Sequence, residues 1–391
     1  MPDIGVLIKK HTAAVVALRR YFHTYPELSG QEYNTQKRVL TELRALGIEA
    51  KPAADTGVIA DIAGPAAGPV IAIRADMDAL RLQDECGQTY QSVNHGVCHA
   101  CGHDGHVAML LGVAKVLAEM QEQLAGTVRL LFQPSEEEFP GGAQPLIEAG
   151  ALKGVAAIIS AHLWQTLAAG TIGISYDRLM AAPDAFTITV QGKGGHGSMP
   201  QQTIDPILTG AQIVMGLHTI VGRNIDPLEN AVVSLGSFKA GEAFNVIPDI
   251  AVLKGTVRSF DHALRLQIFE RIEAIARGIS QASGASCTVE KKLGFPPLVN
   301  SPEIVKTVVE AAGELLPADH IITIKPVMAG EDFSCYLQKI PGMMIFVGSG
   351  NAAKNIIYPQ HHPKFDIDET ALPIGMEVLL RSALKLLNKM K

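Results

Sequence analysis

Residues 69–78 read PVIAIRADMD and residues 98–118 read CHACGHDGHVAMLLGVAKVLA. The first opens as an apolar run over 69–73 that meets no charge before Arg74, the pattern of a buried strand. In the second, Val107, Leu110, Leu111, Ala114, Leu117 and Ala118 recur at the i, i+3, i+4, i+7 spacing of a helix with one buried face. Further apolar runs at 127–132 and 155–160 read as strands, so runs and helical patterns alternate from 57 to 166 as a sheet covered by helices requires. The fold class expected is an α/β sandwich.

Outward from that stretch the texture changes. From about residue 184, Phe186, Ile188 and Val190 alternate with Thr187, Thr189 and Gln191, the period of two of a half-exposed strand. A helix at roughly 205–221, strands near 231–238 and 249–258, and a helix at about 261–279 follow. A β-α-β-β-α-β order of this kind suggests a small, open-faced, ferredoxin-like α+β sheet. After Pro296 and Pro297 the first texture returns, with a helix at 302–315, a strand at 343–347 and a last helix at about 370–389. The expected organisation is one discontinuous α/β domain over 1–183 and 298–391, interrupted by an inserted domain over 184–297.

Composition bounds the function classes. A chain of 391 residues suits two or three domains at about 150 residues each. With 33 basic against 39 acidic residues and no basic stripe interleaved with aromatics, nucleic acid is excluded as a partner. Apolar runs such as 13–18 and 109–114 fall far short of the roughly 20 residues that cross a bilayer, so no membrane partner is expected. Lys9 and Lys10 precede a short apolar stretch, but Arg19 and Arg20 stand where a small-residue cleavage site would lie, so no secretory leader is read. Five cysteines, odd in number and sparse, argue against a disulfide framework and for a cytoplasmic protein.

Chemistry collects beyond the strands. The run at 69–73 leads into Asp76 and Asp78, that at 127–132 into Glu136, Glu137 and Glu138, that at 155–160 into His162, and that at 343–347 into a loop carrying His361 and His362. In open α/β sheets ligands bind at the carboxyl edge of the strands; chance would scatter such residues. The segment 98–106 adds two thiols, three imidazoles and a carboxylate at a helix N-terminus, an assembly of soft and borderline metal ligands. Cys98 and Cys101 alone would also fit a redox pair, and a closed structural zinc knuckle is the other bland alternative. The acidic triplet alone reads as a solvated loop; beside a metal-preferring segment, one glutamate would bind metal and its neighbour would act as general base. His196 lies among glycines that permit close approach to a ligand.

Ten ordered segments then carry a resemblance: LRRYFHTYPELSGQE (18–32), RADMDAL (74–80), HACGHDGH (99–106), FQPSEE (132–137), IEAGAL (147–152), AHLW (161–164), GKGGHGSMP (192–200), NVIPD (245–249), AGEDFS (329–334) and HHPKFDIDE (361–369). Together they resemble the M20 metallopeptidase family, in its amidohydrolase branch of aminoacylases, hippurate hydrolases and indole-acetyl-amino-acid hydrolases. The resemblance implies a two-metal site on Cys101, His103, Glu137, His162 and His361, with Glu136 as general base and Asp78 orienting a ligand from behind. His361 is preferred over His362 because the family pattern places the ligand two residues before the proline, here Pro363. It also implies that His196 reaches a partner subunit's site to stabilise the oxyanion, and that Asn245 and Arg258 hold a substrate carboxylate. Arg81, Phe139-Pro140, Gln144 and Gln201 depart from the family pattern, which bears on acyl-group preference and on no implied ligand.

The function so implied is hydrolysis of an N-acyl-L-amino acid by a metal-bridged water, with two divalent ions per subunit: manganese or zinc first, nickel or cobalt as alternatives. The implied assembly is a homodimer or homotetramer through the inserted domain. A dipeptidase or carboxypeptidase of the same superfamily is the alternative, and a non-catalytic metal-dependent binding protein stands behind both. Cys98 receives no role, and Cys86, Cys287 and Cys335 read as packing residues.

Overall fold

The chain folds around a sheet whose middle strands are apolar almost throughout. A computed structural model describes residues 3–390. Strands β1 (Ala50–Ala53), β2 (Gly57–Ala63), β3 (Val70–Asp76), β4 (Thr127–Gln133), β5 (Val155–Ala168), β6 (Ile172–Ile174), β7 (Ile321–Thr323) and β8 (Gly342–Gly350) form one sheet in the order β1-β2-β4-β3-β5-β8-β6-β7. The four central strands β4, β3, β5 and β8 are parallel, and β2 joins β4 antiparallel. Covered on both faces, β3 is buried from Ile71 to Asp76 and β8 along its whole length.

Helices α1 (Ile4–Thr24), α2 (Tyr33–Ala45), α3 (His103–Glu119), α4 (Pro302–Ala312) and α5 (Ala371–Lys389) are the long helices of this unit. Nearly every residue of α3 is buried, because the helix packs against β3, β5, α1 and α5. Glycine makes that approach feasible: a Cβ on Gly105 would stand 2.3 Å from Leu163 Cδ1 of β5. The chain leaves β3 through α3 to reach β4 on one side, then passes to β5 on the other. The reversal makes a topological switch point, and such sheets bind ligands outside the strands' carboxyl ends there.

By its contacts the chain divides into two compact units. One runs to Leu179, resumes over Val299–Lys325 and continues from Asp332; the other comprises Met180–Leu298 and Pro326–Glu331. The segment 326–331, placed by the sequence with the first domain, belongs with the second unit because Ala181 N–H donates to the carbonyls of Val327 and Ala329. In the second unit strands 231–240, 250–259, 182–191 and 286–292 form an antiparallel sheet in that order. The alternating strand at 182–191 turns Phe186, Ile188 and Val190 into a core shared with helices Pro206–Leu217 and His262–Ala282. Strand Ser286–Lys292 completes the β-α-β-β-α-β order.

Three local expectations are corrected. The strand read at 155–160 runs on to Ala168, so His162 lies within it and not beyond its end; pairing with β8, with His162 opposite Phe346, prolongs it. The helix read from 107 begins at His103, after Gly102 turns the chain at φ 93°. The helix read over 205–221 breaks at His218 into Pro206–Leu217 and Thr219–Arg223.

Candidate metal centre

Five segments of the first unit meet at the carboxyl ends of β3 and β4 and the middle of β5. Two residues beyond β3, the Asp78 carboxylate accepts the backbone N–H groups of Glu136 at 3.0 Å and Glu137 at 2.9 Å, and the Ser29 hydroxyl at 2.6 Å. It thereby fixes the loop after β4. Ser135 turns that loop at φ 54°, and its N–H donates to Glu32 at 2.8 Å. A non-glycine residue in the left-handed region persists only where its surroundings hold it. Burial opposes a charge on Asp78, but His103, Ser29 and the Glu137 N–H hold it below the usual carboxylate range.

The first turn of α3 supplies His103. Its Nδ1–H donates to the Asp78 carbonyl at 2.9 Å, which leaves Nε2 as the free ring nitrogen. Just before the helix, Cys101 Sγ lies 3.5 Å from His162 Nε2. The His162 Nδ1–H donates to the Leu163 carbonyl at 2.9 Å, so Nε2 is again the free nitrogen. From the loop after β8, His361 brings Nε2 to 3.4 Å from Glu137 Oε1; its own backbone sits at φ 64°, and its N–H donates to Ala100 at 2.7 Å. His362 turns elsewhere, stacking on Tyr358 with ring centroids 4.5 Å apart.

The donor atoms form overlapping sets. Those of Cys101, His103 and His162 lie within 4.8 Å of one another, as do those of Cys101, Glu137 and His361, and those of His103, Glu136 and Glu137. Cys101 thus belongs to two sets, and Glu136, 8% exposed, stands beside the ligand-type pair His103 and Glu137.

The residues fit a pair of divalent cations. His103 Nε2 and Glu137 Oε1 are buried without a hydrogen-bond partner among the described residues, although they lie 3.8 Å apart. Complete burial opposes a charge on His103, yet Asp76, Glu137 and Asp78 lift it to about 10. Burial, with Glu137, Glu136 and Asp76 beside it, pushes the Cys101 thiol well up. A nest of negative groups beside imidazole and thiol groups is one that a dication, taking the place of their protons, would relieve.

Sequence reasoning gave no role to several groups that shape the site. Asp76, at the end of β3, accepts His106 Nδ1–H at 2.6 Å and Arg74 at 2.6 Å. Asp332 binds Arg74, Gln133 and the N–H groups of Gly142 and Ala143 at 2.8–3.0 Å, tying the 332 segment to β3 and β4. Both lie in quoted motifs, so the signal was present but the partner was not. Cys98 is fully buried in the hydrophobic core, and burial pushes its thiol far above the ordinary value.

His196, Asn245 and Arg258 belong to the second unit. His196 and Asn245 are neighbours there: Gly195–His196 pairs with Val246–Ile247, and Gly197 N–H donates to Asn245 at 2.8 Å. The Ser198 N–H donates to His196 Nδ1 at 3.1 Å, so the exposed Nε2 is the protonated nitrogen of the neutral ring. Arg258 donates through Nε and Nη1 to Met328, Asp184, Val257 and Thr256, leaving Nη2 without a protein acceptor among the described residues.

Comparison with known proteins supplies the family. The model of peptidase family M20/M25/M40 matches residues 72–385. The chain is 47% identical over 302 residues to an N-acyl-L-amino acid amidohydrolase of Geobacillus stearothermophilus, covering 77% of this chain and 82% of that protein. It is 40% identical over 379 residues to thermostable carboxypeptidase 1 of Saccharolobus solfataricus, covering 96% of each. Among solved structures, the YXEP protein of Bacillus subtilis, a dinuclear metal binding peptidase from the M20 family, superposes with a TM-score of 0.85 at 37% identity, covering 97% of this chain and 99% of that one. An edge of imidazole, thiol and carboxylate groups on this fold, matched along most of the chain, places the protein in peptidase family M20/M25/M40 as a metal-dependent amide hydrolase.

Proposed function

We propose that the chain hydrolyses N-acyl-L-amino acids to a carboxylate and a free amino acid. The observation that carries this reading is the position of Glu136, buried beside the His103 and Glu137 donors, with its backbone held by Asp78. Cys101, His103, Glu137, His162 and His361 would hold two divalent ions, Cys101 being common to both donor sets. Bound there, the ions would polarise the scissile carbonyl and acidify a water. Glu136 takes the proton of the attacking water and returns it to the departing amine nitrogen. His196, protonated at Nε2, donates to the developing oxyanion from a partner subunit. Asn245 and the unengaged Nη2 of Arg258 hold the amino acid's carboxylate. Manganese and zinc head the candidate metals, with nickel and cobalt behind them, because a mixed sulfur, nitrogen and oxygen set accepts all four.

The inserted unit, acting as a lid, would pair two chains. One of its two outer strands, 231–240, has no strand beyond it among the described residues, and Leu208, Met215, Leu228 and Phe244 are exposed on the same unit. A homodimer, or a homotetramer built from it, follows. A cytoplasmic, reducing location suits a centre built on a free thiol. Among the described residues no helix is long and apolar enough to cross a membrane.

The carboxypeptidase relative supports a second reading, cleavage of a peptide C-terminus or a dipeptide. One panel separates the two: metal-loaded protein incubated with N-acetyl and N-benzoyl amino acids and with dipeptides. Release of amino acid from the acylated substrates alone is the expected result. Cleavage confined to dipeptides transfers the assignment to the second reading, and no cleavage of any substrate overturns both.

A further inference from the structure

In a parallel sheet a residue directs its N–H and its carbonyl toward the same neighbouring strand. At Leu163 no strand fills that side among the described residues. Pairing between β3 and β5 ends at Arg74 opposite Ser160, while β5 continues to Ala168 with β8 alone on its other side. Leu163, fully buried, therefore turns a donor and an acceptor toward a vacated strand position, where an unsatisfied group is costly.

Side chains take that place. His106 Nε2 accepts the Leu163 N–H at 2.8 Å, and its Nδ1–H is committed to Asp76 at 2.6 Å, so both ring nitrogens are used. The Leu163 carbonyl accepts two donors: His162 Nδ1–H at 2.9 Å and Gln360 Nε2–H at 3.0 Å. Gln360 immediately precedes His361, whose N–H is bound to the residue before Cys101. The backbone of one apolar residue thus joins α3, β5 and the loop after β8, each of which carries a donor of the metal centre. Loss of His106 would free the Leu163 N–H, and loss of Gln360 would free the approach of the His361 loop; either would let the His162 ring turn.

We propose that His106 and Gln360 are positioning residues of the metal centre: through the backbone of Leu163 they fix the tautomer of His162 and hold the His361 loop in register with it. The proposal rests on the metal-centre reading above. Partners that orient a ligating histidine change metal affinity by about 10- to 100-fold.

The test is metal titration of stripped, full-length protein, with manganese or zinc by calorimetry and with cobalt by absorption, the thiolate-to-cobalt band reporting Cys101. His106→Leu and Gln360→Leu are each expected to weaken binding by about 10- to 100-fold, with folding verified by circular dichroism. His106→Gln, whose amide oxygen can accept the Leu163 N–H, is expected to recover most of the affinity, whereas a role confined to stability would shift the melting temperature and leave affinity alone. Gln360 is half-buried on a loop, so Gln360→Leu carries the test if His106→Leu does not fold. Wild-type affinity in folded variants, with two ions bound by the wild type, overturns this proposal alone. A wild type that binds no metal overturns it together with the metal-centre reading.

Discussion

At the residue scale the two central chemical roles separate cleanly. Glu136→Ala removes the proposed base and no ligand, so it is expected to keep its metal while kcat falls about 10²- to 10⁴-fold. Cys101→Ser replaces a thiolate with a hydroxyl that does not ionise near neutral pH, so bound metal per chain, measured by elemental analysis, is expected to drop. Full metal occupancy in the serine variant would remove Cys101 from the ligand set. Asp84 carries a charge outside the proposed centre. Its side chain is fully buried, accepts the N–H groups of Cys86 at 2.9 Å and Ser92 at 2.8 Å, and faces His23 Nε2 at 3.2 Å. Burial works against its charge, yet His23 and those two N–H groups bring it down to about 2. The unfolded chain, with an ordinary value of about 4, binds the proton first as pH falls. The stabilisation, about 2 kcal/mol, is therefore complete above about pH 4 and is lost as pH falls through about 2. Asp84→Asn is expected to lose it at pH 7, with the gap to the wild type closing over that window in urea unfolding.

At the scale of elements, periodicity located the helices and strands but not their ends. The apolar face of 107–118 was legible; the turn at Gly102 that moves the helix start to His103, and so puts His103 and His106 on rigid backbone, was not. β5 outran its reading because residues 161–168 are held by β8, a partner nearly two hundred residues away. That pairing depends on glycine at the start of β8. A Cβ on Gly342 would lie 2.3 Å from the Ile158 carbonyl oxygen, a backbone atom that cannot swing aside. Gly342→Ala is expected to destabilise the protein by about 1–3 kcal/mol, read as a lower urea midpoint at unchanged slope. Gly222, in helix Thr219–Arg223 with open space around it, is the matched control: Gly222→Ala should be neutral or mildly stabilising.

At the scale of the molecule, the proposed pairing through the inserted unit has its own test. Leu208 and Met215 are exposed, seven residues apart and hence on one face of helix Pro206–Leu217. Leu208→Glu with Met215→Glu is expected to yield monomers by sedimentation and, if His196 acts in its partner's site, to cost turnover as well. A wild type that is strictly monomeric and fully active would refute the trans role. Much about this protein was local and could be read from its sequence: the α/β texture and the residue types at 76–78, 98–106, 136–137, 162 and 361. These depend on the period of apolar residues and on side-chain chemistry, which neighbours along the chain suffice to express. The tertiary structure decided the rest. Which nitrogen of His103 and His162 stays free, why His361 faces Glu137 while His362 stacks on Tyr358, and how His106 comes to complete β5 all depend on hydrogen bonds between segments far apart in the chain. A tautomer is set by the partner of the other nitrogen, and that partner exists only once the sheet has formed.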